Sequence, residues 1–538
     1  MRKKMKNILI IFLFCLIFNT AIVFSDQPLA NSNKSGLQIN SLEDVLRLDE
    51  DQIDLATAVL ITSERWNNNV YGRLYLSKLD DMAYEIRDIL KAKHLKLNYH
   101  AIEIINDYLF EREGYKPVKE ATNPDDLFLH SVIDNKQGYC LSLSVLYLAL
   151  GERLGLPVYG VVVPGHFFVR FDDGKNRFNI ETTSKGGSAS DQHYKDKFKV
   201  PQEQEETIYL KNLNKLQTLG CFFNNLGNAY SDIGNTQSAL TALQKAVLIN
   251  PGLAESHLNL GNVYLKLKQH QKALEQYKLA LAINPDDAKT HNNLGNLYYE
   301  NQDFDNAINQ YQTALALDSK YTDAYSNLAA VYCKKKMFEQ AISYLENAIR
   351  LEPKKSDFYQ QLGNIYLQKG QYQQALNGYN KAIKLAPAFA EAYYGLGLCY
   401  NKLDDSDKEI AAYTKALSIN PDMSEAMFNL GNAYYNKEDY DQAIGYYLSA
   451  IQKDLNNSLL HFNLGTAYFA KELYQQGIAE YLKTIELDPQ MANAHNNLAF
   501  GYYKLKQYDQ ALKHIKIAEE LGAEIDNDLF SAIENNAK

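Results

Sequence analysis

Three residues of this chain have the side chains of a thiol nucleophile and its base: Cys140, His166 and Glu181. Cys140 opens an apolar run, Leu141 to Leu150, broken only by Ser142, Ser144 and Tyr147. A run apolar on nearly all sides predicts a buried helix, which Gly155 and Pro157 then end. A helix N-terminus lowers a thiol pKa, and an adjacent histidine lowers it further. Val158 to Phe171 and Arg177 to Glu181 flank Asp172-Asp173-Gly174-Lys175-Asn176, which reads as a β-hairpin with a five-residue turn. If Phe171 pairs with Arg177 or Asn176, His166 lies opposite residue 182 or 181, so His166 and Glu181 become cross-strand neighbours or nearly so. The set then comprises a nucleophile, its base and the group that orients the base. The plainer alternative makes Cys140 a small buried hydrophobe ahead of an apolar helix.

The elements that must position these residues occupy 41–205, an α+β block. Ser41-Leu42-Glu43-Asp44 is a capping-box start. Apolar spacing predicts helices over about Leu76–Leu95 and Leu97–Glu113. Asn123-Pro124-Asp125-Asp126 is another helix start, with an N-cap, Pro in the first turn and acids near the dipole.

The remaining composition narrows the class. Of 538 residues, 55 are Lys or Arg and 65 are Asp or Glu, for a formal net charge of −10. Phosphate binding needs a basic stripe, so nucleic acid is not the expected partner. Five Cys rule out a disulfide scaffold, and none sits in a C-x-x-C pair, so neither a zinc site nor any cofactor is expected. Arg2, Lys3, Lys4 and Lys6 precede an apolar run from Ile8 to Phe24, with Ser25 after it. Residues 1–25 therefore read as a secretory signal peptide, and the chain as exported, periplasmic or extracellular. The alternative is an uncleaved membrane anchor, since the run of 17 residues is near the lower limit for a span. Residues 26–40 are a polar, flexible leader.

Tyr is over-used, at 40 residues beside one Trp, because a segment is copied. With Gly227 at position 8, nine units of 34 residues run from Gly220 to Ile525. Position 7 is Leu and position 11 is Tyr in all nine; position 8 is Gly in seven, with Ala329 and Ala499 the exceptions. Ala recurs at position 20, broken by Glu409 and Gly477, and at position 27, broken by Thr484. Small residues at 8, 20 and 27 let two helices approach, Leu and Tyr fill the seam, and Pro at 32 ends the second helix in six units. No unit buries its apolar face alone, so neighbours must stack. This pattern resembles the tetratricopeptide repeat. Where Trp is usual at position 4, four units carry His257, His291, His461 and His495, read as packing substitutes rather than metal ligands. Cys221, Cys333 and Cys399 read as packing residues, 206–219 as a linker helix and 526–538 as a C-terminal cap.

Position 6 is Asn in seven units, Asn225, Asn259, Asn293, Asn327, Asn429, Asn463 and Asn497, and position 9 adds Asn228, Asn262, Asn296, Asn364 and Asn432. Asn disfavours a helix interior by about 0.5 kcal/mol against Ala, and packing gives no evident reason for the column. The resemblance places position 6 on the concave face. The array is most similar to that of the O-linked N-acetylglucosamine transferases, whose amide ladder holds peptide backbone; their glycosyltransferase domain is not present. The alternative is that the copies share Asn by ancestry.

The block 41–205 resembles the transglutaminase-like superfamily, particularly its SirB-like branch, through "YCLSLSVLYLALGERLGLPVYGVVVPGHFFVR" and on through "YLKNLNKLQTLGCFFNNLGNAY". The resemblance implies Cys at a helix start with His and Asp on neighbouring strands. Cys140 and His166 match, and Glu181 falls where Asp is usual. The expected architecture is an α+β transglutaminase-like domain followed by an all-α tetratricopeptide superhelical solenoid. The expected function is an exported protein-interaction scaffold whose groove binds extended peptide or protein segments. The alternative is a cysteine-dependent peptidase or transamidase using Cys140, His166 and Glu181, with the repeats recruiting substrate. Membrane association is expected only through an uncleaved N-terminal segment.

Overall fold

The structure is a computed structural model that describes residues 39, 41–66, 69–118, 123–200 and 209–537. The signal segment, most of the leader and the "PQEQEET" stretch lie outside the described residues. Among the described residues, no helix is long and apolar enough to cross a membrane. The chain divides into two compact units, Met1–Asn293 and Leu294–Lys538. The division falls inside the third repeat, so the first two repeats share a compact unit with the N-terminal block.

That block contains α1 (Leu42–Val45), α2 (Leu55–Trp66), α3 (Gly72–Ala92), α4 (His100–Asn106), α5 (Leu129–Asn135), α6 (Cys140–Leu154) and α7 (Asp191–Phe198). α6 is the centre: it packs on the sheet on one side and on α2, α3 and α5 on the other. Twelve of its fifteen residues are buried, as its apolar run requires. Two expected helices shift. The first is α3, and the second begins at His100 and ends in a π-helical turn, Asp107–Arg112. Asn123 caps as expected, accepting from the Asp125 N–H, but only a 3-10 turn, Pro124–Leu127, follows before α5.

The strands are β1 (Lys116–Pro117), β2 (Gln137–Gly138), β3 (Val158–Val163), β4 (His166–Asp172) and β5 (Arg177–Ile180). β1 and β2 form a small parallel pair, and β3-β4-β5 an antiparallel sheet. The expected single strand from Val158 to Phe171 is therefore two. Pro164-Gly165 folds it back, with Gly165 at φ +70°, the left-handed conformation that a tight hairpin turn demands. The β4–β5 register also differs from expectation: Phe171 pairs with Phe178, and the ladder ends at Val169–Ile180.

The exposed edge of β3 is covered by the segment that leads into the repeats. Leu210 N–H donates to the Val162 carbonyl at 3.1 Å, and Leu213 N–H to the Gly160 carbonyl at 2.8 Å. Gly160 carries no side chain for a reason: a Cβ would collide with the Phe167 ring and stand 3.0 Å from Thr218 Oγ1. The fully buried Arg170 guanidinium fixes the same segment. It donates to the Leu210 carbonyl at 2.6 Å, Asn179 Oδ1 at 2.7 Å and Asp191 Oδ1 at 2.5 Å. Among the described residues 209–219 there is no separate linker helix. Asn214 caps a helix, α8 (Lys215–Asp232), that runs unbroken into the first repeat.

From there helix follows helix, two per unit, to Tyr508–Glu520, and a cap Asn527–Asn536. No strand interrupts the described part of the array. The small residue at position 8 answers to position 24. A Cβ on Gly261 would approach the Tyr277 ring to 2.6 Å, and one on Gly295 the Tyr311 ring to 2.5 Å. The two units with Ala at position 8, Ala329 and Ala499, have Leu345 and Ile515 at position 24 instead of Tyr. The position-4 histidines bond the second helix or the preceding Pro carbonyl. His257 Nδ1 meets Gln276 at 2.8 Å, His461 Nδ1 meets Glu480 at 2.7 Å and His495 Nδ1 meets His514 at 3.0 Å. His291 Nε2 reaches the Pro285 carbonyl at 3.0 Å.

Candidate active site

Cys140 is the first residue of α6, and its helix start is pinned from two sides. Ser142 Oγ accepts from the Tyr139 N–H at 2.8 Å and donates to the Asp126 carbonyl at 2.9 Å. Thr182 Oγ1 lies 3.3 Å from the Cys140 carbonyl and 3.0 Å from Ser144 Oγ. That contact ties the thiol end of α6 to the strand exit where Glu181 sits. Glu181 leaves the ladder just after β5 and bridges Gly187, which frees its side chain to turn towards β4.

His166 begins β4, and its Nε2–H donates to Glu181 Oε2 at 2.7 Å. Cys140 lines the same cavity as this ring and lies near enough to help raise its pKa. The structure thus brings Cys140, His166 and Glu181 together, although the register that suggested it is different. Glu181 is saturated with donors: Tyr194 Oη–H reaches Oε2 at 3.1 Å, while Thr183 N–H and Oγ1–H reach Oε1 at 3.1 and 2.6 Å. Phe198 stacks on the imidazole with centroids 4.8 Å apart and planes 4° from parallel.

Burial alone would lower the His166 pKa, but the neighbouring Cys140 and Glu181 overcome it and raise it to about 9. Burial alone would raise the Glu181 pKa, but His166 and Thr183 hold it down at about 2. At neutral pH the carboxylate is ionised and the imidazole carries its proton. Cys140 is half-buried, whereas Cys221, Cys333 and Cys399 are buried. Desolvation pushes Cys221 up to about 12, Cys399 up to about 11 and Cys333 upward.

Tyr194, Thr183 and Phe198 are contributors that the sequence reading missed. Their signal was faint: Tyr and Phe four apart on α7, a short polar helix capped by Ser190.

Cys140 and His166 open on a cavity of about 350 Å³, whose other wall comes from the first repeats and includes Asn225, Asn228 and Asn259. The Asn columns have a packing role that the sequence reading did not assign. Asn293 Nδ2 donates to Asn262 Oδ1 at 2.8 Å, and Asn327 Nδ2 to Asn296 Oδ1 at 3.0 Å, each joining position 6 to position 9 of the preceding unit. Asn259 donates to Asn224 Oδ1, Asn429 to Tyr394 Oη and Asn497 to Tyr481 Oη, each at 3.0 Å. Asn225 donates to the Cys221 carbonyl at 3.0 Å. At position 9, Asn262 and Asn296 accept from Tyr277 and Tyr311 at 2.8 Å, and Asn364 and Asn432 from Tyr379 and Tyr447 at 2.7 Å. Asn463 is half-buried. A mid-helix amide that closes a buried hydrogen bond recovers more than its propensity cost. Among the described residues, no group of three or more His, Cys, Asp or Glu could hold a metal ion.

Residues 73–220 match the transglutaminase-like superfamily. Tetratricopeptide repeats match from 227 onward in overlapping stretches, among them 227–268, 322–355, 390–423 and 428–492. Over 126 residues the chain is 32% identical to a UPF0162 protein of Xylella fastidiosa, covering 22% of this chain and 43% of that protein. Over 81 residues it is 30% identical to F-box only protein 21 of Mus musculus, covering 15% of this chain and 13% of that protein. The chain thus spans less than half the length of these curated relatives. Among solved structures, it is 26% identical to YrrB, described as a TPR protein with an unusual peptide-binding site, at a TM-score of 0.29 over 37% of this chain and 99% of that one. Tetratricopeptide repeats generally bind protein or peptide partners, and with a transglutaminase-like domain they support a protein-interaction scaffold. The chain carries a domain of the transglutaminase-like superfamily followed by an array of tetratricopeptide repeats.

Proposed function

We propose that the repeats bind an extended peptide segment along their amide face and that the N-terminal domain performs thiol-dependent acyl transfer on it. What carries this reading is the single cavity onto which Cys140, His166 and the amides of the first repeats all open. The Cys140 sulfur, its proton already held on His166, attacks the carbonyl carbon of an amide. The C–N bond breaks, His166 gives its proton to the departing amine, and a thioester remains on Cys140. Water or a second amine then attacks the thioester carbon, loses its proton to His166 and regenerates the thiol. Glu181 stays ionised, fixes the imidazole and balances its positive charge. Peptide binding is supported by the way the position-6 amides are used. In six of the seven, Nδ2 makes the internal bond, and carbonyl lone pairs can serve a peptide N–H.

An electrophilic thiol probe tests the enzyme arm. It should label Cys140 ahead of the three buried cysteines, and more slowly in His166→Ala at neutral pH. Equal rates with and without His166 would remove the base from the scheme. Replacing Asn259, Asn293 and Asn327 together by Ala should weaken binding across varied peptide sequences. Unchanged affinity would refute the amide face. Export through Met1–Ser25 is part of the same proposal. Deleting those residues should leave the protein in the cytoplasm, and unchanged targeting would overturn it.

A further inference from the structure

Position 9 holds Asn in five units, and in four of them its Oδ1 is committed to the Tyr hydroxyl at position 24. The first unit breaks this rule. Its position 24 is Leu243, packed beneath Gly227, so no hydroxyl reaches Asn228. Asn228 is half-buried and lines the cavity that also holds Cys140 and His166. Two more amides share that wall, and each has spent a donor but not its carbonyl. Asn225 Nδ2 donates to the Cys221 carbonyl and Asn259 Nδ2 to Asn224 Oδ1.

We infer that Asn228, flanked by Asn225 and Asn259, is the acyl-donor subsite of the thiol centre and pairs with the backbone amide of a neutral peptide. This rests on the acyl-transfer reading above and adds that the first two repeats complete the site. An asparagine offers one acceptor and a donor group, which matches one peptide unit whatever its side chain. In the same wall Glu255 Oε1 accepts from the Tyr209 hydroxyl at 2.7 Å while its buried Oε2 has no partner among the described residues, and Asp287 and Lys289 bring opposite signs. Among the units with Asn at position 9, the one that lacks Tyr at position 24 is thus the one whose amide shares a cavity with the thiol.

The test uses the full chain and two probes of Cys140: iodoacetamide, which needs no subsite, and acetyl-trialanyl chloromethyl ketone, which carries three peptide units. The peptidyl probe should label with saturation. Asn228→Ala should raise its half-saturating concentration by about twofold to tenfold, the loss of one or two hydrogen bonds, and leave the iodoacetamide rate unchanged. The inference is overturned if Asn228→Ala affects neither probe, if it affects both equally, or if the wild-type protein shows no saturation with the peptidyl probe. Failure of Cys140 to react with iodoacetamide in the wild type would instead sink the thiol reading itself.

Discussion

Four donors from three residues converge on the Glu181 carboxylate, and nothing else among the described residues repeats that arrangement. In the array, by contrast, one hydroxyl-to-amide bond recurs from unit to unit, as Tyr277–Asn262, Tyr311–Asn296, Tyr379–Asn364 and Tyr447–Asn432. Both satisfy buried polar groups, but they distribute risk differently. The thiol site depends on residues drawn from α6, β4, the exit of β5 and α7, so a single loss strands several partners. The array stacks near-equivalent modules whose stabilities add through nearest neighbours, so a single loss stays local. Substitutions in the two regions should differ in size accordingly.

The largest effect is expected from Glu181→Ala. It leaves His166, Tyr194 and Thr183 without their shared acceptor in a buried setting, a class of change that costs about 3–5 kcal/mol. The pH dependence follows from the shifts. His166 is raised from 6.5 to about 9, so its contribution is full below 6.5 and lost as pH rises through about 9. Glu181 is lowered from 4.5 to about 2, so its contribution is present above 4.5 and lost as pH falls through about 2. Urea denaturation of the wild type should therefore show less stability near pH 9.5 than near pH 6, and the variant should flatten that difference. A variant that keeps the wild-type slope would show that the pair is not what titrates.

Gly261→Ala should come next, at about 1–3 kcal/mol for overpacking. Ala is the better helix former by about 1 kcal/mol, but its Cβ would stand 2.6 Å from the Tyr277 ring. The sequence supplies the control. Units with Ala at position 8 have Leu345 or Ile515 at position 24, so adding Tyr277→Leu should recover much of the loss. Additive losses in the double variant, read by thermal melts, would break the coupling.

Much of this was legible because periodicity repeats its own evidence. Nine copies of Leu and Tyr at positions 7 and 11 fixed the helix pairs, and the apolar run after Cys140 fixed α6. The coupling of position 9 to position 24 was present in the same columns, as Asn opposite Tyr, but only a structure says which columns touch. The thiol site had one copy and no internal check. Its residue types pointed to three side chains that lie near one another, while the Pro164-Gly165 turn and the register of Phe171 on Phe178 changed the route by which they meet. Tyr194 and Thr183 reach Glu181 through backbone that leaves the sheet, which no spacing rule encodes.

The histidine pair near the C-terminus should give a smaller, local effect. Burial, then the neighbouring His495, lowers His514 from 6.5 to about 4, and burial lowers His495 too. The unfolded chain therefore takes up protons first, and stability is lost as pH falls from 6.5 towards 4. After allowance for solvent screening the loss at pH 5 should be about 1 kcal/mol. Hydrogen exchange at Ala492–Lys504 and Tyr508–Glu520 should quicken between pH 7 and pH 5, after correction for intrinsic rates, and His514→Gln should remove the change. An equal response in the fourth or fifth repeat would mean that the histidines are not its source.

The smallest effect is expected from the ion pairs that join successive units. Lys335 meets Asp305 at 2.7 Å, Lys369 meets Glu339 at 2.9 Å, Lys437 meets Asp407 at 2.7 Å, and Lys471 pairs with Asp441. Each links position 14 of one unit to position 18 of the unit before, so the pattern looks designed into the repeat. Exposure argues against a large contribution, because the Asp305 side chain is 89% exposed. Water competes for both charges, and two long side chains must be held still. Lys335→Ala should shift the melting temperature by less than about 1 °C. A shift several times larger that vanishes in high salt would mean that the four pairs act as one network along the array, and that even its exposed contacts are not local.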